Sequence, residues 1–342
     1  MTGGVITRAL AEIVAGHDLD RDTARRAMDE IMVGAATPAQ TGALLAALRT
    51  KGETVDEISG MVESMRDHAT TVDLDVDAVD TCGTGGDGSN TFNISTAAAL
   101  VVAGAGVPVA KHGNRAQSSR CGSADVLEAL GVAIALPPAG VRACVAESGM
   151  GFFFAPAFHP AMRHAAPVRR ELGIRTVFNV LGPLANPARV RRQALGVADR
   201  ATAPLMAGVL QHLGHRRALV FSGPDGIDEL GLDGASECID VTQESVRPYQ
   251  VDPQQLGIRA AAARELRGGD AAANASRVRG VLAAEPGPAR DVVMLNAAAA
   301  LIAAGTCDSF AAGMERAARS IDSGDAARAL ESLVTVSNRR WS

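Results

Sequence analysis

Residues 80–96 read Asp80-Thr81-Cys82-Gly83-Thr84-Gly85-Gly86-Asp87-Gly88-Ser89-Asn90-Thr91-Phe92-Asn93-Ile94-Ser95-Thr96. An apolar run from Val76 to Val79 precedes this segment, and an Ala/Val/Leu run from Ala97 to Val102 follows it. This order predicts a strand, a glycine loop and a helix. The backbone N–H groups of such a loop converge on one anion, and the helix dipole favours negative charge there. We therefore interpret the loop as a phosphate site, with further side-chain donors on Thr84, Asn93, Ser95 and Thr96.

Two known glycine motifs compete with this interpretation. The loop lacks the Lys-Ser/Thr ending of the nucleoside-triphosphate loop. Gly83-x-Gly85-x-x-Gly88 matches the dinucleotide fingerprint, which also needs an acidic residue about 20 residues later to hold a ribose. The chain instead has the basic turn Lys111-His112-Gly113-Asn114-Arg115 in that region. The glycines alone fit a purely structural turn as well as they fit a phosphate site. The neighbouring polar residues and the basic turn favour the phosphate site.

The composition argues against several classes of protein. The chain has 342 residues and 47% hydrophobic content, enough for one large domain or two smaller ones. With 3% aromatic residues and a net charge of -5, we expect no binding to nucleic acid or to a membrane surface. The five cysteines lack metal-ligand spacing, so we expect reduced, buried thiols in a cytoplasmic protein. We also expect no signal peptide and no membrane span.

The N-terminal part of the chain has the pattern of a small helical bundle. Asp20 is placed to cap a helix that ends at Gly34, and Thr37-Pro38 opens a helix that closes at Lys51-Gly52. Thr54-x-x-Glu57 is a capping box for the next helix. We therefore predict a helical domain at residues 1–70, joined by part of residues 155–185.

The rest of the chain alternates short β-branched runs with Ala-rich helices. Such alternation is typical of a parallel sheet wrapped by helices. The predicted fold class is α/β, with a large α/β domain at residues 73–342 and a mostly parallel central sheet. The predicted strands are Val76–Val79, Val107–Ala110, Val132–Ala135, Ala194–Val197, Arg217–Phe221 and Glu237–Val241.

Three polar segments follow predicted strands, where the ligands of parallel sheets bind. They are the glycine loop, the turn that begins at Lys111, and the pair Asp228-Glu229. Lys111 offers a point charge for a phosphate. Adjacent carboxylates are hard oxygen ligands that suit Mg²⁺ bridging to substrate phosphates. An isolated acidic turn is more often simply solvated, but a phosphate substrate at the same sheet edge reverses that preference.

Candidates for other chemistry are few. Arg163, Arg169, Arg170 and Arg175 form a basic cluster, and one of them could grip a carboxylate in bidentate fashion, although spacing does not identify which. For His159 a structural role is favoured. We find no Ser-His-Asp or Cys-His set, so charge stabilisation of a leaving pyrophosphate fits better than covalent catalysis.

Several of these segments resemble signatures of the anthranilate phosphoribosyltransferase family. They are Gly-Thr-Gly-Gly-Asp at 83–87, Asn-Ile-Ser-Thr at 93–96, Lys-His-Gly-Asn-Arg at 111–115, Gly-Ser-Ala-Asp-Val-Leu-Glu-Ala-Leu-Gly at 122–131, Phe-Ala-Pro at 154–156, Arg-Thr-Val-Phe-Asn-Val-Leu-Gly-Pro-Leu-Ala-Asn-Pro at 175–187, Asp-Gly-Ile-Asp-Glu at 225–229, and Gly-Gly-Asp with Asn274. The resemblance covers nearly the whole chain in order. It implies a homodimer that uses Mg²⁺ and joins anthranilate to 5-phosphoribosyl 1-diphosphate in tryptophan biosynthesis.

The resemblance also implies roles for individual residues. Anthranilate would contact Gly83, Asn114 and Arg169, and two Mg²⁺ ions per subunit would be held by Ser95, Asp228 and Glu229. Lys111, Asp228 and Glu229 would carry catalysis. The phosphoribosyl donor would be held by Gly83, Gly86, Asp87, Thr91, Asn93, Ile94, Ser95, Thr96, Lys111, His112, Gly113, Asn114, Arg115, Ala116, Gln117, Ser118, Ser119 and Ser123.

The chain departs from the family at one point, and two alternatives remain. The family's strand before the Asp-Glu loop commonly carries His near its end, where this chain has Val220-Phe221-Ser222-Gly223. Pyrimidine nucleoside phosphorylases share the fold and a similar glycine loop, but their counterpart of the turn at 111–115 differs. A non-catalytic nucleotide-binding regulator is the other alternative, and the full set of metal and phosphate residues argues against it.

Overall fold

The computed structural model describes residues 4–116 and 120–341. Its N-terminal part consists of four helices: α1 (Val5–Val14), α2 (Arg21–Met32), α3 (Pro38–Lys51) and α4 (Val55–Asp67). The predicted caps are confirmed. Asp20 accepts a hydrogen bond from the backbone N–H of Thr23, and α3 and α4 both begin with capping boxes.

The central sheet has seven strands within the described residues. They are β1 (Val79–Gly83), β2 (Val109–Gly113), β3 (Met150–Phe154), β4 (Arg192–Gly196), β5 (Arg217–Ser222), β6 (Ser236–Thr242) and β7 (Val246–Val251). Their order across the sheet is β3-β2-β1-β4-β5-β6-β7. The first five strands in this order are parallel, and β6 and β7 are antiparallel. The prediction of a mostly parallel sheet is confirmed.

The strand predictions needed three corrections. Residues 132–135 form no strand: Val132 and Ile134 are buried, but the segment is an irregular connection without a pairing partner among the described strands. Strand β1 begins at Val79 rather than at Val76, which is 45% exposed. Strands β3 and β7 were not predicted. Strand β3 is an uninterrupted apolar run, and β7 is an edge strand that contains Pro248.

Eleven further helices follow within the described residues. The four that follow the first strands are α5 (Ile94–Gly104), α6 (Ser123–Ala129), α7 (Pro138–Ser148) and α8 (Ala155–Phe158). Next come α9 (Ala166–Leu172), α10 (Phe178–Leu184), α11 (Ala203–His212), α12 (Ala271–Leu282), α13 (Pro288–Ala303), α14 (Phe310–Asp322) and α15 (Asp325–Ser337). Short 3-10 turns lie at Pro160–Arg163, Arg200–Thr202, Pro224–Gly226, Pro253–Leu256 and Ala263–Leu266.

The hydrophobic interior has two parts. One surrounds α5 and α13 and includes residues from α7, α12 and α15. The other joins α1–α4 to α10, α11 and one face of β4 and β5. Helix α10 is tied to α4 directly, because Arg66 Nε donates to the backbone oxygen of Leu184 at 2.9 Å. The segment after β3 therefore returns to the N-terminal helices.

Two further sequence expectations concern cysteines and membranes. All five cysteines are buried and free, in agreement with the expectation of buried thiols. Within the described part of the chain, no helix combines the length and apolarity that a membrane crossing requires.

Candidate active site

Three polar segments meet at the carboxyl edge of the parallel strands, as the sequence predicts. The backbone N–H of Gly85 donates to Asp228 Oδ2 at 2.7 Å, and that of Ser95 donates to Glu229 Oε1 at 3.0 Å. Lys111 Nζ lies 3.3 Å from Ser95 Oγ. The glycine loop, the basic turn and the acidic pair therefore form one site.

The glycine loop depends on left-handed backbone conformations. Gly85, Gly86 and Gly88 have φ values of 67°, 74° and 71°, and Asn90 has φ 53°. Residues with a Cβ rarely adopt such values, so the three glycines are required by the loop's shape. The loop leads into α5, whose first backbone N–H groups point toward the same edge of the sheet.

A C-terminal segment that sequence reasoning did not connect to the site clamps this loop. The backbone N–H of Gly268 donates to the oxygen of Asn90 at 2.8 Å, and that of Phe92 donates to the oxygen of Leu266 at 2.9 Å. Asn274 Nδ2 donates to Asn93 Oδ1 at 2.9 Å. The motif Gly268-Gly269-Asp270 with Asn274 could be seen in the sequence. Its contact with the glycine loop could not, because Asn274 and its partner Asn93 are 181 residues apart.

The acidic pair lies in a crowded, poorly solvated place. Burial, with the negative charge of Asp87 next, raises the pKa of Asp228 to about 7. Burial, with the charge of Asp228 next, raises the pKa of Glu229 to about 8. Two neighbouring carboxyl groups with these pKa values favour a cation between them.

Two glycines make room for the acidic loop. A Cβ on Gly83 would lie 2.2 Å from Asp228 Oδ2, and one on Gly196 would lie 1.7 Å from the backbone oxygen of Asp228. Only glycine fits at these distances. Gly83 was predicted as a site residue, whereas Gly196 was not. Gly196 ends β4 and pairs with Gly83 in the sheet.

Lys111 lies beneath the loop rather than on its surface. It is 2% exposed, and its Nζ donates to the backbone oxygen of Thr81. Burial lowers its pKa, against the opposing charge of Asp80. Asp80 is itself buried and accepts hydrogen bonds from Asn186 Nδ2 at 2.9 Å and from the backbone N–H of His112 at 3.2 Å. Asp80 and Asn186 support the basic turn from below, and the sequence analysis assigned neither.

The basic turn after Lys111 is held by its own neighbours. Arg115 pairs with Asp125 at 3.0 Å and with Glu128. The backbone oxygen of Asn114 accepts from Ser123 Oγ at 3.2 Å, and the N–H of Ala116 donates to Asp125 Oδ2 at 3.0 Å. Three residues predicted to bind the phosphoribosyl donor, Gln117, Ser118 and Ser119, lie outside the described residues.

Four side chains in or beside the predicted site are enclosed by the protein. Ile94 and Thr96 are fully buried, and the Thr96 hydroxyl has no hydrogen-bond partner in residues 4–116 and 120–341. His112 packs against His159, with ring centroids 5.1 Å apart. Burial lowers the pKa of His112 to about 3 and that of His159 to about 4, so both rings are neutral at physiological pH.

The arginine cluster divides into residues with different surroundings. Arg175 Nη1 donates to the backbone oxygen of Gly86 at 3.1 Å, so this arginine contacts the glycine loop. Arg175 also lines a cavity of about 170 Å³ between α3, α10 and the start of α11. The guanidinium of Arg169 lies 5.0 Å from the ring centroid of Phe178, and burial lowers its pKa. Arg169 forms no salt bridge to any residue that the structure describes.

Comparison with known proteins identifies the family. Residues 7–69 match the helical bundle domain, and residues 75–327 the a/b domain, of the family described as glycosyl transferase family. The anthranilate phosphoribosyltransferase of Thermomicrobium roseum is 56% identical over 339 residues, which cover 98% of this chain and 97% of that relative. The chain belongs to the anthranilate phosphoribosyltransferase family.

Solved structures of the anthranilate phosphoribosyltransferase family have the same fold. The enzyme from Thermus thermophilus is 43% identical with a TM-score of 0.92, over 97% of this chain and 99% of that one. The enzyme from Saccharomyces cerevisiae in complex with PRPP and Mg is 26% identical with a TM-score of 0.88, over 97% of each chain. The family resemblance and the fold class inferred from sequence are therefore confirmed.

One residue differs from what the sequence resemblance leads us to expect. Ser222, where that resemblance implies His, ends β5 just before the acidic loop. Its side chain is 1% exposed, and its hydroxyl has no hydrogen-bond partner among the described residues. The acidic loop nevertheless reaches the glycine loop through Gly85 and Asp228.

Proposed function

We propose that the chain transfers the phosphoribosyl group of 5-phosphoribosyl 1-diphosphate to the amine of anthranilate. The products are N-(5-phosphoribosyl)anthranilate and pyrophosphate, in the second step of tryptophan biosynthesis from chorismate. The observation that carries this proposal is the direct contact of the glycine loop with the acidic pair through Gly85 and Asp228. This contact supports a phosphate site that lies against a cation site, as a diphosphate leaving group requires.

The donor is bound by the glycine loop, the start of α5 and the basic turn. The left-handed glycines and the N-terminus of α5 support this assignment because both present backbone N–H groups to an anion. The donor-binding residues are Gly83, Gly86, Asp87, Thr91, Asn93, Ile94, Ser95, Thr96, Lys111, His112, Gly113, Asn114, Arg115, Ala116, Gln117, Ser118, Ser119 and Ser123. The buried Ile94 and Thr96 contribute through their backbone groups rather than their side chains.

The acidic pair and Ser95 hold Mg²⁺, with two ions per subunit. The residues fit the ion, because burial and neighbouring negative charge raise the pKa values of both carboxyl groups. A cation beside them would stabilise their ionised forms. No group of three or more His, Cys, Asp or Glu in the described residues is arranged to hold a metal alone. Mg²⁺ usually takes one or two carboxylates and completes its shell with water and substrate phosphates, which agrees with this donor set.

Anthranilate is recognised by Arg169, Asn114 and Gly83. Arg169 is supported by its environment, because it is partly buried, stacked on Phe178 and not paired with a carboxylate in the described chain. Such an arginine presents a planar fork that matches a carboxylate. Arg175 is a weaker candidate, since its guanidinium already donates to Gly86.

The chain's own groups then stabilise the departing pyrophosphate. The amine of anthranilate attacks the anomeric carbon while the bond to pyrophosphate breaks, and negative charge grows on the leaving oxygens. Backbone N–H groups of the glycine loop and the charge of Lys111 stabilise that growth, and bound Mg²⁺ supplies further charge neutralisation. The site excludes water when the two parts of the chain close on the substrates, which protects the activated sugar from hydrolysis.

For the organisation of the protein we propose the arrangement expected from the sequence. The chain comprises a helical domain of residues 1–70, joined by part of residues 155–185, and an α/β domain of residues 73–342. The shared core of α1–α4 with α10 supports this division. The protein acts as a cytoplasmic homodimer and binds neither nucleic acid nor membranes.

The proposed reaction is tested by the fluorescence of anthranilate. Purified protein with the donor and Mg²⁺ should consume anthranilate, and omission of the donor should stop the loss. A parallel reaction with a pyrimidine nucleoside and inorganic phosphate tests the alternative. Stable anthranilate together with nucleoside cleavage would favour a nucleoside phosphorylase, and donor binding without either reaction would favour a non-catalytic regulator.

A further inference from the structure

A single buried amide on α13 grips the backbone of the acidic loop. Asn296 Oδ1 accepts from the backbone N–H of Leu230 at 3.0 Å, and Asn296 Nδ2 donates to the oxygen of Leu230 at 3.1 Å. Nδ2 also donates to the oxygen of Val292 at 2.9 Å, within its own helix. Leu230 directly follows Glu229, so this contact holds the residue next to the acidic pair.

The position of Asn296 argues against a general packing role. It is 4% exposed and lies in a run of α13 that is otherwise apolar from Val292 to Ala303. A buried amide without partners is costly, so an apolar residue would suit this helix better if packing were the only requirement. The side chain instead bonds both the backbone N–H and the backbone oxygen of one residue, Leu230, in another segment.

The two-point contact answers a physical problem of the site. Asp228 is half-buried and the adjacent Glu229 is buried, so their ionised forms repel each other when no cation lies between them. A single hydrogen bond would let the loop pivot, whereas bonds to both the N–H and the C=O of Leu230 fix the distance and the orientation of that residue. Asn296 also borders a small void whose lining includes Ser95 and Glu229.

We propose that Asn296 is a positioning residue that keeps the acidic loop in its metal-binding conformation. The inference rests on the proposed function, because it assigns Mg²⁺ to Asp228 and Glu229. The contacts of Asn296 with the acidic loop are to Leu230, so the proposed effect on the metal ligands is exerted through that residue. Groups that position metal ligands typically change metal affinity by about 10- to 100-fold when they are removed.

The test uses Asn296→Leu, which keeps the side chain's shape and removes both bonds to Leu230. Mn²⁺ binding to the full-length protein with the donor, followed by electron paramagnetic resonance, gives a readout that does not depend on turnover. We expect the Mn²⁺ dissociation constant to rise by about 10-fold or more. Turnover should fall at low Mg²⁺ and recover at high Mg²⁺, while the Michaelis constant for anthranilate stays unchanged.

Two further variants make the result decisive. Asn296→Ser cannot reach Leu230, but its hydroxyl can bond the oxygen of Val292 in the helix, so it serves if the leucine variant fails to fold. Ser320→Ala is the matched control, because Ser320 is buried and donates to the oxygen of Val101 at 2.8 Å on α14 and α5. It should lower the melting temperature without changing Mn²⁺ affinity.

The outcomes separate this inference from the proposed function. Wild-type Mn²⁺ affinity in a folded Asn296→Leu or Asn296→Ser protein would overturn the role of Asn296, as would an equal loss of affinity in Ser320→Ala. Failure of the wild-type protein to transfer phosphoribosyl groups would overturn the proposed function. The Mn²⁺ titration would still decide the role of Asn296 in that case.

Discussion

The backbone N–H of Gly85 donates a 2.7 Å hydrogen bond to Asp228 Oδ2, across 143 residues of sequence. The glycine loop, which we propose as the diphosphate site, is thus tied to a carboxylate of the proposed cation site. A cation bound at Asp228 competes with Gly85 for the same oxygen. Binding of the metal and rearrangement of the loop are therefore expected to be coupled.

Asp228→Asn separates the charge of this residue from its hydrogen bond. The amide oxygen of asparagine can still accept from Gly85, so the loop should keep its conformation. The loss of one carboxylate should raise the Mg²⁺ concentration needed for half-maximal activity and lower turnover at ordinary Mg²⁺. Asp228→Ala should additionally weaken donor binding. Calorimetric donor binding that is equally weak in both variants would show that the hydrogen bond plays no part.

The affinity for Mg²⁺ should increase with pH. In the metal-free protein, the pKa values of Asp228 and Glu229 are raised to about 7 and about 8, mainly by burial. The ion binds the deprotonated pair, so it must displace protons at lower pH. Titration calorimetry in buffers of different ionisation enthalpy should detect proton release at neutral pH and less release at alkaline pH.

The same shifts have a defined effect on stability. The folded carboxyl groups keep their protons at pH values where the unfolded chain has lost them. The contribution of this pair to the metal-free protein's free energy of unfolding therefore falls as pH rises through these pKa values, and Mg²⁺ should restore it. In the calorimetric experiment, uptake rather than release of protons when Mg²⁺ binds would contradict the assignment of the ion to Asp228 and Glu229.

Gly86→Val tests close approach of the donor to the loop. Gly86 has a φ of 74°, and a side chain there would lie 2.6 Å from Arg175 Nη1. We expect weaker donor binding by calorimetry, with the helical content retained. Gly16→Val is the matched control, because Gly16 also has a positive φ of 84° but no atom within 4 Å of its would-be Cβ. Unchanged donor affinity in Gly86→Val would exclude the loop as the diphosphate site.

Arg169→Ala tests recognition of the acceptor. Loss of a charge-assisted pair costs about 1.5–3 kcal/mol, or roughly ten- to a hundredfold in apparent affinity. The Michaelis constant for anthranilate should rise by this factor, and that for the donor should change much less. Arg169→Lys should recover only part of the loss, because lysine lacks the planar fork.

Arg175→Ala provides the contrast within the same cluster. Arg175 contacts Gly86, so its removal should affect the donor more than anthranilate. Equal effects of the Arg169 variant on both substrates would assign that residue to the scaffold.

Features encoded by neighbouring residues could be predicted from the sequence. The capping boxes at Thr37 and Thr54 and the glycine loop at 83–88 each depend on a few consecutive side chains, and the structure contains all of them. Strand β3 was missed because it is a buried edge strand with apolar residues on both faces and no alternation. In addition, the sequence pattern indicated a break in the alternation of strands and helices at Phe152, so no strand was predicted across its Phe residues before Pro156.

The meeting of the three polar segments could be predicted from the strand order, but the contacts of single amide side chains with distant segments could not. The amides Asn186, Asn274 and Asn296 all support the site, yet each finds its partner more than 60 residues away, at separations of 106, 181 and 66. An asparagine in a helix has no local signal that distinguishes a clamp from a surface residue. The choice of Arg169 among four arginines likewise depended on the family resemblance, because spacing alone did not reveal which one lies on Phe178.

The most direct measurement is product analysis of the complete reaction. Anthranilate, 5-phosphoribosyl 1-diphosphate and Mg²⁺ are incubated with wild-type protein and with the double variant Asp228→Ala, Glu229→Ala, and phosphorus NMR and mass spectrometry follow the products. We predict equal amounts of pyrophosphate and N-(5-phosphoribosyl)anthranilate from the wild type, and sharply slower formation of both by the variant. Hydrolysis of the donor with anthranilate unchanged, or equal rates for the two proteins across a Mg²⁺ titration, would contradict the account.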